Sequence, residues 1–522
     1  TQGMIARYED QIITVWGSMQ CPYYIVEALK SALGWQQDRI CVVQMATGGA
    51  FGGKEDFPSI PGVHAALAAI KTNQPVQLIY DRQEDIESST KRHPSMITIE
   101  SYLDKDHTII GRDIEVAIDG GAYAGLSSVV LQRSIFSIAG VYNIENLQIK
   151  GTAYITNQVV SGAFRGFGGP QAFFAIEVHM DHIAKEINED PIRLRQKYFL
   201  KQGDTSSTQG VFHDPICLDQ IIHEIVNMSD FKTKHNDYKH QPNKGIGISV
   251  FFHGCGFTGA GEPDLIHPTV RLVKENDRVK IYVSSTEIGQ GALTTLRKIV
   301  ANTLKIDIHQ IDHDYPDSQN CPDSGPTVAS RTALIVGKLV QNAAEKIKQR
   351  WDEAYVEIIQ AYEYPTFLFW DNKTFIGNAY PDFSWGANVV EVEVDPLTYQ
   401  IEVKTIWGVY DIGTPLDLRI VQGQLEGGIL QGLGYATSEV LTPVDGRLSQ
   451  DTLTTYIIPT AQDAPSILTR LIDNPSTIGP FGARGLGELP LVGVAPALAN
   501  AVAQAVGYSI DRIPITPESI KR

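Results

Sequence analysis

Five glycine-rich turns in this chain carry a glutamate, an arginine or a glutamine within or beside them. They are Gly48-Gly49-Ala50-Phe51-Gly52-Gly53-Lys54-Glu55, Gly162-Ala163-Phe164-Arg165-Gly166-Phe167-Gly168-Gly169, Glu287-Ile288-Gly289-Gln290-Gly291, Gly423-Gln424-Leu425-Glu426-Gly427-Gly428 and Gly482-Ala483-Arg484-Gly485-Leu486-Gly487-Glu488. Each is read as the opening of a helix. Such turns present free backbone N–H groups and suit phosphates and other electron-rich oxygens. None ends in the Lys-Ser or Lys-Thr of a phosphate-binding loop, and residues 48–53 lack the spacing and acidic partner of a dinucleotide fingerprint. One such turn alone is ordinary chain punctuation. Five in one chain point to a ligand held largely by backbone.

Two of the turns end in a carboxylate. Glu488 stands two residues before Pro490, a residue suited to the first turn of a helix. A helix start favours the ionised form of a nearby acid, and an ionised, partly buried glutamate can serve as a general base. Helix capping is the plain alternative for Glu488. Glu55 has the same two readings, with Lys54 beside it as a solvated partner. Arg133 lies in the apolar stretch Val129-Val130-Leu131-Gln132-Arg133-Ser134-Ile135-Phe136, where a charge needs a salt-bridge partner or a ligand. Arg165, inside its turn, is placed to meet an anionic oxygen. Phe164 and Phe167 flank it as core residues or as a stacking wall for a planar ring.

The elements that must position these groups follow from periodicity. Helices are expected at 22–33, 61–72, 171–187, 331–349 and 490–506, with another opening at the 423–428 turn and passing Gln431. Strands are expected at 41–45, 76–80, 269–274 and 279–285, and hairpins over 96–119 and 388–410. Residues 201–242 are polar with little periodicity, so the chain divides there into residues 1–238 and 239–522. The fold class is α+β.

Length and composition agree with two or more globular domains: 522 residues, 43% hydrophobic and 20% charged. A formal net charge of −17 disfavours nucleic acid and anionic membrane surfaces as partners. No apolar run long enough to cross a bilayer stands out. Cys21, Cys41, Cys217, Cys255 and Cys321 are scattered without a C-x-x-C pair. That excludes a local iron–sulfur or zinc set and fits a reducing, cytoplasmic compartment. The start at Thr1 reads as that of a fragment, a processed subunit or a trimmed chain.

Taken together, the motifs resemble the molybdenum-binding portion of the xanthine dehydrogenase and aldehyde oxidase family. The resemblance covers residues 11–514. It rests on residues 49–55, on Ala163 through Gln171, on Glu287 through Gly291, on Glu426-Gly427-Gly428 with Gln431-Gly432-Leu433-Gly434, and on Gly485-Leu486-Gly487-Glu488. It implies two elongated mixed α/β-type domains with a molybdopterin site between them. The metal is then held by the pterin dithiolene, with Gln20, Phe51, Gly52, Arg165 and Glu488 near it. Gly289, Gln290, Ala329, Ser330, Gln431 and Gly487 become cofactor contacts, and the pterin comes with or without a cytosine dinucleotide tail. Glu488 is implied as the base in a hydroxylation that takes its oxygen from water.

Glu55 and Arg133 match positions where the purine hydroxylases of the family carry Glu and Arg, so xanthine or hypoxanthine is the expected substrate. Phe167 and Phe257 are the expected aromatic walls. No cysteine lies in the loop at Gly166, where carbon monoxide dehydrogenases of the family carry a copper-binding one. An aldehyde or another N-heterocycle such as nicotinate is the rival substrate, and a non-catalytic cofactor-storage protein the rival of another class. The resemblance further implies [2Fe–2S] clusters and FAD on partner chains and a separate chain supplying the family's N-terminal segment. The assembly expected is a dimer of such heteromers.

Overall fold

The computed structural model of the protein describes residues 1–257, 259 and 262–521. The first sheet has four strands, ordered Ile40–Gln44, Ile12–Gly17, Gly3–Glu9, Val76–Ile79. Asp10 and Gln11 turn the first hairpin with φ of 48° and 64°, the two-residue turn whose hand matches strand twist. Alternation buries Met4, Ala6, Ile13 and Val15 beneath the helices Pro22–Leu33 and Ser59–Thr72.

The second sheet contains the expected hairpin, Ser95–Leu103 against Ile109–Asp119, with Leu147–Tyr154 added in parallel. Asp104 closes the turn by accepting from the N–H groups of Asp106 and Thr108. A helix that periodicity does not reveal, Ser127–Ser137, packs on this sheet beside Gly169–Glu186 and carries Arg133.

The central sheet is ordered Ser466–Leu471, Ile401–Asp411, Asp382–Val394, Lys244–Cys255. Helix Val494–Val506 lies so close across it that a Cβ on Gly247 would sit 2.3 Å from the Ala497 carbonyl oxygen. Glu177, on helix Gly169–Glu186, accepts from Val250 N–H at 2.9 Å and pairs with Arg195 at 3.0 Å. It thereby fixes the strand that carries His253. The last sheet, with Thr269–Glu275 at its centre, packs on helices Ala292–Leu304 and Gly337–Gln349.

Three expectations need correction. Residues 201–242 are not aperiodic: Leu218–Ser229 is a helix burying Leu218, Ile221, Ile222, Ile225 and Val226, a spacing that the polar residues between them mask. Gly423, Gly427 and Gly428 do not open a helix but lie inside Leu418–Ala436, which Asp417 caps by accepting from Arg419 and Ile420 N–H. Finally, helix Leu489–Val492 and its continuation make one run, Leu489–Val506, long and apolar enough to cross a bilayer; 83% of it is buried, as a core helix is.

Candidate active site

The glycine turns converge on a cavity of about 520 Å³. Gln20, Phe51, Gly52, Glu55, Arg133, Arg165, Phe167, Gly289, Gln290, Ala329, Ser330, Gly487 and Glu488 all line it. Segments more than 400 residues apart in sequence are therefore brought to one wall.

Side-chain amides and backbone stitch the turns together. Gln20 is buried; its Oε1 accepts from Gly52 N–H at 2.9 Å, and its Nε2 donates to the Thr327 carbonyl at 3.1 Å. Arg165 N–H donates to the Phe51 carbonyl at 2.8 Å. Gly52 has φ of 103°, and a Cβ there would lie 2.7 Å from the Ala163 carbonyl, so this position requires glycine. Arg165 does not present a free guanidinium. Nε donates to the Gly487 carbonyl at 2.5 Å, Nη1 to Gln431 at 3.4 Å and Nη2 to Gln424 at 3.3 Å. Gly428 permits this approach, for a Cβ there would sit 3.1 Å from Nη2. Burial lowers Arg165 to about 10, against the pull of Glu488.

At Glu287–Gly291 the free N–H groups expected of such a turn are occupied. Glu287 accepts from Gly289, Gly291 and Leu293 N–H. Gln290 folds back to accept from Ile288 N–H and to donate to the Thr286 carbonyl. Gly289, with φ of 99° and nothing within 4 Å of a Cβ position, leaves room beside the loop. Ala329 and Ser330 take φ of 56° and 51°, and the π-helical turn Thr332–Val336 follows. Expected as one helix over 331–349, this segment spends its first turn in the wider winding that recurs at functional sites.

Glu488 occupies the N-cap position before Leu489. Gly166 N–H donates to its Oε1 at 3.2 Å and the Ser330 hydroxyl to its Oε2 at 3.1 Å. Arg133 Nη1 stands 3.9 Å from Oε1 and His253 Nε2 stands 3.7 Å from Oε2. Burial pushes the carboxyl up, but His253, Arg133, Ser330 and Gly166 outweigh it and hold it below its ordinary value. His253 is itself pushed down by burial, which outweighs the pull of Glu488. Burial thus works against a charge on the ring, while the ring, the guanidinium, the hydroxyl and the amide together hold the carboxyl in its ionised form.

Glu55 is the opposite case. It is 7% exposed, and among the described residues no side chain hydrogen-bonds its carboxyl. Burial and then Asp56 raise it to about 8 against the pull of Arg133. One cavity thus holds an ionised acid and a protonated one, the division of roles that acid–base chemistry needs. Arg133 pulls on both carboxyls, and its guanidinium carbon is 4.6 Å from the Phe167 ring centre and 4.5 Å from that of Phe257.

Two expected contacts fall outside the cavity wall. Phe257 is buried behind Arg133 and against Phe136, so it orients the guanidinium. Gln431 reaches the site only as the acceptor for Arg165. Sequence reading misses His253, whose one signal is a polar side chain closing an apolar strand. It also misses Arg484, which meets Asp382 at 3.1 Å, Asp411 at 2.6 Å and Asp214 at 3.4 Å, and anchors the last glycine turn.

A planar, polar-edged ring system suits this cavity. Phe51, Phe167, Leu296 and Ile420 supply apolar walls; Gln20, Gln290, Gln424 and Ser330 supply polar edges. Among the described residues no three His, Cys, Asp or Glu side chains gather as a metal set, so a metal here would arrive carried by its organic ligand. Gly485 sets the fit between turns, because a Cβ there would lie 2.0 Å from the Ser330 carbonyl oxygen. Gly485→Ala is expected to cost about 1–3 kcal/mol of stability and to lower cofactor retention. Thermal melting and metal content per chain check it, and wild-type values in both would contradict it.

Comparison with known proteins gives the same picture. Two family models, each described as a molybdopterin cofactor-binding domain, match residues 1–199 and 222–465. A relative from Bacillus subtilis, named as a subunit of a probable xanthine dehydrogenase, is 29% identical over all of this chain and 74% of its own length. The nicotine 6-hydroxylase large subunit of Paenarthrobacter nicotinovorans is 28% identical over all of this chain and 71% of its own. Among solved structures, the aldehyde oxidoreductase of Desulfovibrio gigas superposes with a TM-score of 0.90 at 25% identity. That match covers 99% of this chain and 58% of the solved one.

Proposed function

The chain belongs to the molybdopterin cofactor-binding family of molybdenum hydroxylase large subunits, a family of oxidoreductases, and from that premise we propose that it hydroxylates a purine-type heterocycle, xanthine or hypoxanthine. The observation that carries this reading is the split pair of carboxyls in one cavity, Glu488 held below its ordinary value and Glu55 raised to about 8, with an aromatic-stacked Arg133 pulling on both. When bound, the molybdenum pterin supplies the two-electron acceptor and delivers an oxygen drawn from water.

The chain's own residues do the rest. Glu488 accepts a proton as the attacking oxygen forms its bond to carbon. Glu55 donates its O–H to a ring nitrogen. Arg133 faces the oxygen on which negative charge grows, and Phe167 lies along the ring face. Glu55 is protonated below about 8, so binding that uses its O–H weakens as pH rises through that value. Glu55→Gln keeps a donor and loses the titration. The expected result is a KM near wild type at neutral pH that no longer rises above pH about 8. A rise identical to wild type, with the same substrate, would contradict the role.

N-heterocycles other than purines are the nearest rival, since a relative covering the whole chain is named a nicotine hydroxylase. Dye-reduction assays of the purified assembly with xanthine, hypoxanthine, nicotinate and benzaldehyde separate these readings. Bound metal without reduction by any of the four would favour cofactor storage. The five free cysteines are dispersed, so the proposed electron path runs through an iron–sulfur subunit and an FAD subunit in the cytoplasm.

A further inference from the structure

His253 lies two residues before the end of the strand Lys244–Cys255 and does not line the cavity. Its Nδ1 lies 2.8 Å from the Gly254 carbonyl oxygen, which accepts only, so the ring carries a proton on Nδ1. Nε2 stands 3.7 Å from Glu488 Oε2, just outside hydrogen-bond distance, with the Gly166 backbone also facing the ring. A neutral ring gains nothing from a carboxylate at that nitrogen, whereas an imidazolium would donate to acceptors at both ends. The ring is 5% exposed, and Ser384 stands opposite it across the strand pair. The charged and titratable groups around it are Glu488 from the last glycine turn, Arg133 from helix Ser127–Ser137, and Tyr380, whose ring centre is 6.4 Å away.

We propose that Glu488 and His253 share one proton, so that a proton taken by the Glu488 carboxylate passes from Oε2 to Nε2 and the carboxylate is restored. In that transfer the carboxyl O–H bond breaks and the imidazole N–H bond forms. The glutamate regains its negative charge and the ring becomes a cation donating to Oε2 and to the Gly254 carbonyl. His253 is thus a positioning residue that acts through Glu488. The Ser330 hydroxyl donates to the same oxygen at 3.1 Å. The proposal rests on the reading of Glu488 as base, but the pairing is testable without it.

The test uses the purified assembly labelled with ¹⁵N-histidine. Solid-state ¹⁵N spectra are titrated, with the His253 signal identified as the one lost in His253→Gln. Removing the carboxylate in Glu488→Gln should lower the His253 midpoint by about one pH unit or more. In parallel, the acidic limb of kcat/KM should move up by about one unit in both His253→Gln and His253→Asn, because the base must then hold its own proton. Gln keeps a neutral donor near the Nε2 position and Asn keeps the Nδ1 contact, so a wild-type limb in either would mean a structural role and overturn the proposal. A His253 midpoint unchanged by Glu488→Gln would also overturn it. Turnover surviving in Glu488→Gln would remove the base while leaving the ¹⁵N result to decide the pair.

Discussion

Replacing Glu488 by glutamine should lower kcat by about 10³-fold while bound molybdenum and pterin stay at wild-type levels. The amide has the size of the carboxylate and can still accept from Gly166 N–H and meet the Ser330 hydroxyl, so the turn keeps its contacts. What it loses is proton affinity and the charge facing Arg133 at 3.9 Å. That guanidinium stays seated between Phe167 and Phe257. The loss should therefore fall on kcat more than on KM. Metal analysis alongside steady-state kinetics checks it. Near-normal turnover would remove Glu488 as base, and loss of cofactor in step with activity would assign it a holding role.

The second large effect is expected at Arg484→Met. This guanidinium is sealed from water and is shared by Asp382, Asp411 and Asp214. Burial pushes Asp382 and Asp411 up, with Arg484 the foremost opposing influence on each. Taking it away leaves uncompensated buried carboxyls, at a cost of about 3–5 kcal/mol. The deficit should shrink as pH falls, because a protonated aspartate brings no charge into the interior and the acids are already raised toward that form. The turn from Gly482 to Glu488 also loses its anchor, so metal content should fall together with melting temperature. Asp411→Asn placed on top of Arg484→Met should recover part of the loss. An unshifted melting temperature would show that the cluster is not what holds the turn.

Much of the cavity wall could be read from local sequence. Phe51-Gly52, Phe164 through Phe167, Gly289-Gln290 and Gly487-Glu488 are contiguous words, and each lies where its turn needs a residue without Cβ or with free backbone. What stayed hidden depends on tertiary approach. Gly428 looks like a helix-opening residue, yet its use is to admit the Arg165 side chain. Phe257 has the right residue type for a wall, but packing against Phe136 and Tyr380 buries it behind Arg133. His253 and Glu488 are 235 positions apart, and only the seating of the last helices on the central sheet makes them neighbours. Helix Ser127–Ser137 mixes serines, Gln132 and Arg133 into its apolar face, so its period is faint although its buried residues are helical in spacing. Likewise no spacing tells an acid held at about 8 from one held below its usual range. That difference comes from the charges and donors folded around each: Asp56 beside the buried Glu55, and His253, Arg133, Ser330 and Gly166 around Glu488.

The proposed water-derived hydroxylation of an N-heterocycle, with Glu488 as proton acceptor, is tested most directly by single turnover of the purified assembly in H₂¹⁸O, with hypoxanthine or xanthine and the product analysed by mass spectrometry. One ¹⁸O is expected in each product molecule from the wild-type chain, with product formation slowed by about 10³-fold in Glu488→Gln. Unlabelled product, or full metal loading with no product from either purine, would contradict it.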